Sequence, residues 1–182
     1  MNLTLPPPGV EVLLIALVLG AAVYDVRYRR IPNWLTVTGA VLGVILNWFL
    51  DPGLFKWSLA GLGVAFGVYA ALYALHAMGA GDVKLMAAVG AVVGLQDWFG
   101  IFIITAIIGG IMSLILIAAR GRVRKTLFNV GFILTEMKSG RSAYLANEEL
   151  DVRSKKALGL PHGAVIAVGT IFFLAVSARF AK

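Results

Sequence analysis

Long apolar runs separated by short polar breaks make up most of the chain, so run length rather than periodicity identifies its elements. Helices are predicted over about 9–25, 33–50, 57–78, 82–96, 98–119 and 161–178. Pro32 suits the first turn of the second helix, and Asp51-Pro52-Gly53 reads as a turn before the third. The spacing of Gly63 and Gly67 would let a neighbouring helix approach the third closely. A short turn at Asp97 divides the fourth run from the fifth. The fourth run, at roughly 22 Å of helix, is too short for a hydrocarbon core of about 30 Å. Either the bilayer is thin there, or the Gly79–Asp82 segment lies below the surface, where irregular backbone must line a polar cavity. The second reading gives the glycines and the aspartate one shared reason.

One stretch breaks the pattern, a polar insert over 120–160. Within it Val123, Leu127, Val130, Leu134 and Met137 recur at three- and four-residue intervals among Arg124, Lys125 and Lys138. That spacing predicts an amphipathic helix lying in the membrane interface, although a solvated basic connector fits the same residues. The opening residues lack the basic start of a secretory signal, so the first apolar run is expected to be retained as a span.

Composition agrees with the pattern. With 60% apolar and 14% charged residues, the chain is too poor in polar surface for a soluble domain. The expected fold is an all-α integral membrane protein, a single unit over 1–182 with six transmembrane helices. Sixteen Lys and Arg against nine Asp and Glu give a formal charge of +7. The cations cluster beside apolar spans, which points to the lipid bilayer as partner and makes a nucleic-acid partner unnecessary. No cysteine is present, which removes disulfides, thiolate metal sites and a cysteine nucleophile.

Charge also orients the helices. Arg27, Arg29 and Arg30 follow the first run, and the insert carries nine basic residues. Alternating spans put both groups on one side, the cytoplasmic side by the positive-inside tendency, with the N-terminus outside. Asp25 and Asp82 then converge at the cytoplasmic end of the bundle, although 57 positions separate them.

Two such carboxylates can hydrolyse a peptide without metal or cofactor. One deprotonates water and the other protonates the carbonyl oxygen and the leaving amine, because neighbouring like charges keep one of the pair neutral. Helix ends favour Asp82 as the base, at the positive start of the fourth helix, and Asp25 as the acid, at the negative end of the first. Each residue has a plainer reading as well. Asp82 suits a helix N-cap, Asp25 an ion pair with a neighbouring arginine, and Lys84 a side chain reaching for the interface. His76 and His162 are the two histidines, too few for a zinc site.

Taken in order, Asp25 with Ile31-Pro32-Asn33, then Gly79-Ala80-Gly81-Asp82-Val83-Lys84, then Pro161-His162-Gly163, the chain resembles the type IV prepilin peptidases, membrane aspartyl proteases of the GxGD type. The resemblance implies that Asp25 and Asp82 are the catalytic pair. Gly79, Ala80, Gly81 and Lys84 would form the active-site loop, with Ile31, Pro32, Asn33, Pro161 and Gly163 as supporting motifs. It implies removal of the short basic leader of prepilin-like precursors at the cytoplasmic face of the inner membrane. Many members carry a large cytoplasmic region with paired cysteines that has no counterpart here, so the chain resembles the short, peptidase-only forms of tight-adherence pilus systems or the archaeal preflagellin peptidases. The family more often has an aromatic residue where His162 stands. A presenilin-type protease fits less well, since the PAL sequence is missing and Ile31-Pro32-Asn33 has no place in it. A small transporter or assembly scaffold with proton- or cation-binding aspartates is the non-enzymatic alternative.

Overall fold

Residues 6–139 and 160–180 are described by a computed structural model, and among them every regular element is helical. The helices are α1 (Pro8–Tyr28), α2 (Asn33–Leu50), α3 (Pro52–Ala74), α4 (Ala80–Ala119), α5 (Val123–Lys138) and α6 (His162–Phe180). Five of the six, all but α5, are long and apolar enough to cross a membrane.

Helix α4 is two spans in one. Gly94, at φ 79° and ψ 173°, interrupts it, a backbone conformation that glycine adopts without the steric cost of a Cβ. The first arm (80–93) runs antiparallel to α3, and a Cβ on Gly94 would lie 3.4 Å from the Trp57 Cβ near the start of α3. The second arm (95–119) turns back. Phe102 meets Tyr69 of α3 edge-on at 5.9 Å between ring centroids. Gly109 then lies beside Val165 and His162 at the start of α6. The two apolar runs expected here are therefore both helical, but the reversal between them falls at Gly94 rather than at Asp97. The reason is packing: Gly94 sits against Trp57, whereas Asp97 lies within the second arm.

A chain reversal buried within the bundle leaves backbone carbonyls that have no water to bond. Asn47 of α2 and Ser58 of α3 meet them. Asn47 Nδ2 donates to the carbonyls of Ala91 (3.2 Å) and Val92 (3.0 Å), and Ser58 Oγ donates to that of Ala91. Both side chains are fully enclosed, at 5% and 0% exposure.

Glycine contacts set how closely the helices approach. A Cβ on Gly61 would collide with the Gly90 carbonyl, one on Gly90 with the backbone of Gly61, and one on Gly43 with Val92 Cα at 2.8 Å. Gly63 and Gly67 have nothing within 4 Å of the corresponding position, so the expected packing stripe lies on the wrong face of α3. The contact face is instead the one that carries Gly61 and Ala65.

Other boundaries also move. Asp51-Pro52-Gly53 opens α3 rather than forming a separate turn, because the Asp51 carboxylate accepts the Gly53 N–H at 2.7 Å and Pro52 occupies the first turn. Helix α3 stops at Ala74 rather than near Met78, with His76 just beyond it at φ 58°. Pro32 caps α2 from outside its first turn, and α6 begins at His162 and extends to Phe180. The helix expected within the insert is present as α5, with Val123, Leu127, Phe128 and Val130 exposed. The rest of the insert, 140–159, lies outside the described residues.

Gly61→Ala and Gly63→Ala separate the two faces of α3. The first is expected to cost about 1–3 kcal/mol by forcing α3 off the first arm, and the second to leave stability unchanged or raised by up to about 1 kcal/mol. Asn47→Leu is expected to cost about 1–3 kcal/mol, since it strips the buried Val92 carbonyl of its side-chain donor and leaves that of Ala91 to Ser58 alone. Thermal unfolding in detergent measures all three.

Candidate active site

Three helix ends and one connection meet at a single cavity of about 350 Å³. Its walls include Asp25, Arg29, Arg30, Ile31, Asn33, Gly79, Ala80, Gly81, Asp82 and Lys84. The two aspartates, far apart in sequence, thus share one chamber.

Asp25 stands in the last turn of α1. Its carbonyl accepts the Arg29 N–H at 2.9 Å, and Arg29, at φ 54°, turns the chain sharply so that Arg29 and Arg30 border the cavity. The Asp25 side chain is held from another direction. Its Oδ2 accepts the backbone N–H of Gly163 at 2.7 Å, in the first turn of α6. That helix is opened by Pro161, whose carbonyl accepts the N–H groups of Ala164 and Val165. A Cβ on Gly163 would lie 3.1 Å from both Oδ2 and Cβ of Asp25, so only glycine lets this backbone come so near the carboxylate.

Asp82 is in the first turn of α4 but is not its cap. Gly79 occupies the N-cap position, and its carbonyl accepts the N–H groups of Asp82 (3.2 Å) and Val83 (3.4 Å). The Gly79 N–H in turn bonds the Asp82 carboxylate. The N-cap reading of Asp82 is therefore replaced by a carboxylate turned into the cavity. Neither Gly79 nor Gly81 has positive φ, so the glycines serve close approach rather than a left-handed turn. A Cβ on Gly81 would press on Ile31 at 3.3 Å.

Ile31 joins the two sides. It packs against Gly81 through Cβ and against Gly163 through Cδ1, where an added Cβ would come within 3.1 Å. Asn33, at the start of α2, accepts a hydrogen bond from Lys84 Nζ at 2.8 Å through Oδ1. The supporting motif and the aspartate-bearing segment are thus tied by apolar contact beneath and a hydrogen bond at the rim. Spacing gave no hint of this pairing, since the partners are 51 residues apart.

The helix-end argument for dividing the roles of the aspartates does not survive. Asp25 closes α1 but also faces the positive start of α6, and Asp82 faces the start of α4. Each carboxylate has a helix N-terminus and a backbone donor, so dipoles no longer distinguish them.

Two side chains were missed or given no role from sequence. His162 lies within electrostatic reach of Asp25, and Tyr69 of α3 within reach of Asp82. An isolated tyrosine in an apolar run gives no signal of what it faces. Among the described residues no three His, Asp or Glu side chains gather as metal ligands.

The surroundings are uneven. Tyr24, Tyr28 and Trp34 form an aromatic cluster beside Asp25, with Arg27 over the Tyr28 ring at 5.7 Å, the composition of a membrane interface. On the other side, the second arm of α4 continues ten apolar or small residues past Gly109, roughly 15 Å of helix, before Arg120.

The Asn33–Lys84 bond sits at an exposed rim. A double-mutant cycle with Asn33→Ala and Lys84→Ala, read by unfolding in detergent, is expected to give a coupling of no more than about 1 kcal/mol.

Comparison with known proteins follows the same residues. Residues 12–114 match the type IV leader peptidase family, a stretch that includes Asp25, Ile31-Pro32-Asn33 and Asp82. A protein of Xanthomonas campestris pv. campestris described as "Prepilin leader peptidase/N-methyltransferase" is 32% identical over 112 residues, covering 56% of this chain. The chain spans 38% of that relative's length. No solved structure matches.

Proposed function

Because the chain belongs to the type IV leader peptidase family, we propose that it is a membrane aspartyl endopeptidase that removes the leader of prepilin-like precursors, with Asp25 and Asp82 as the catalytic pair. The observation that carries this reading is the shared cavity, in which both carboxylates face the same space and each is anchored by a backbone N–H. The relative named as a prepilin leader peptidase supports the substrate class.

In this reading the dyad holds one proton. The ionised carboxylate takes a proton from water while the hydroxyl oxygen bonds the scissile carbonyl carbon, and the protonated partner gives its proton to the carbonyl oxygen. On collapse of the tetrahedral adduct one of its hydroxyls returns its proton to the ionised carboxylate as the carbonyl re-forms and the C–N bond breaks, while the departing amine takes a proton from the other carboxyl group. The pair ends with one proton, as it began. Gly163 N–H keeps Asp25 Oδ2 as an acceptor, so the shared proton resides on another of the carboxylate oxygens.

The site works at the cytoplasmic face, with the N-terminus outside. Arg27, Arg29 and Arg30 at the cavity end of α1, and the basic residues after α4, favour that orientation. A leader on the cytoplasmic side would reach the cavity while the precursor's apolar segment stays in the bilayer.

Purified protein in detergent, given a prepilin-like precursor, is expected to cut it. Asp25→Asn and Asp82→Asn are each expected to lower the rate by at least about 10³-fold while the thermal unfolding profile is retained. A wild-type protein that fails to cut but carries out proton-coupled transport in liposomes would overturn the reading. Activity is expected to follow a bell-shaped pH profile, because a pair with two protons or none lacks one of its partners. Gly163→Ala, which sets a methyl group against the Asp25 carboxylate and Ile31, is expected to lower kcat more than Gly81→Ala, which meets only the Ile31 side chain.

A further inference from the structure

The four-residue register between α3 and the first arm of α4 leads to a residue that the aspartate motifs do not contain. Trp57 lies against Gly94 and Gly61 against Gly90, and Ala65 touches the Gly90 position from the next turn of α3. Antiparallel helices in contact step by four on each side, so the same register sets Ala65 near Met86 and Tyr69 opposite Asp82. Ala65, Tyr69 and Met86 are all buried, as that register requires. The Tyr69 ring meets Phe102 edge-on, and the side chain is 1% exposed. A buried phenol needs a partner for its O–H, and the group within its electrostatic reach is the Asp82 carboxylate.

We propose that Tyr69 is a positioning residue for Asp82: its phenol O–H donates to the carboxylate and, with the Gly79 N–H, holds the oxygens in the orientation that serves Asp25 and the attacking water. The inference rests on the peptidase reading above. Two donors from different elements, one from the α4 cap and one from α3, fix a carboxylate about both its axes, which one backbone bond cannot do.

Tyr69→Phe keeps every ring contact and removes only the O–H. Assayed on a prepilin-like precursor beside the wild type, it is expected to lower kcat by about ten- to a hundredfold, the loss of one hydrogen bond to a charged group. KM is expected to stay within about twofold, and the pH–rate profile to move. Phe102→Leu, which loosens the ring packing and leaves the phenol in place, is the control. It is expected to lower thermal stability without moving the pH profile. A Tyr69→Phe protein with wild-type kcat and pH profile overturns the proposal, as does a Phe102→Leu protein with the same shifted profile, since packing alone would then suffice. Asp82→Asn run in parallel keeps the two levels apart: if it still cuts, the peptidase reading falls and Tyr69 has nothing to position, whereas an inactive Asp82→Asn with an unimpaired Tyr69→Phe removes the Tyr69 role alone.

Discussion

Backbone-to-backbone contact between α3 and the first arm of α4, at Gly61 and Gly90, is the constraint on which the other features depend. Hydrocarbon provides no hydrophobic drive to hold two apolar helices together, so their association rests on close packing and on hydrogen bonds. Where no side chain intervenes, the backbones approach to contact distance and the register of the pair is locked. Everything at the ends of the pair is then set. At one end Gly94 meets Trp57 and the chain reverses, and at the other Asp82 enters the cavity at a depth fixed by three turns of helix.

The reversal creates a liability that the fold answers with two residues. Ala91 and Val92 have carbonyls in the interior at the point where the first arm ends, and Asn47 and Ser58 reach them from neighbouring helices. Those bonds tie α2 and α3 to the same turn of α4. A polar residue in a transmembrane run commonly marks function, yet here the two serve structure, at the end of the bundle away from the aspartates.

At the cavity end a different logic operates. The site is assembled from the end of α1, the starts of α2 and α4 and the connection between α1 and α2, while the start of α6 holds the Asp25 carboxylate through the Gly163 N–H. Ile31 sits between Gly81 and Gly163 and transmits the position of one aspartate-bearing element to the other. Such a site is rigid where its glycines touch Ile31 and yields at the Asn33–Lys84 rim, where water competes for the bond.

Much of this was legible in the sequence, and the reason lies in the solvent. A bilayer demands long apolar runs with internally bonded backbone, so run length alone marked the spans, and Asp25 and Asp82 stood out as ionisable groups at run ends that alternation of spans brings to one side. What run length cannot carry is the facing of a helix that is apolar all round. Gly63 and Gly67 offered the expected spacing but face outward, while Gly61 makes the contact, and nothing local distinguishes them. The reversal at Gly94, the bond from Gly163 to Asp25, the Lys84–Asn33 tie and the position of Tyr69 opposite Asp82 all depend on which faces meet. Only tertiary packing decides that, because it is a relation between segments that share no neighbourhood along the chain.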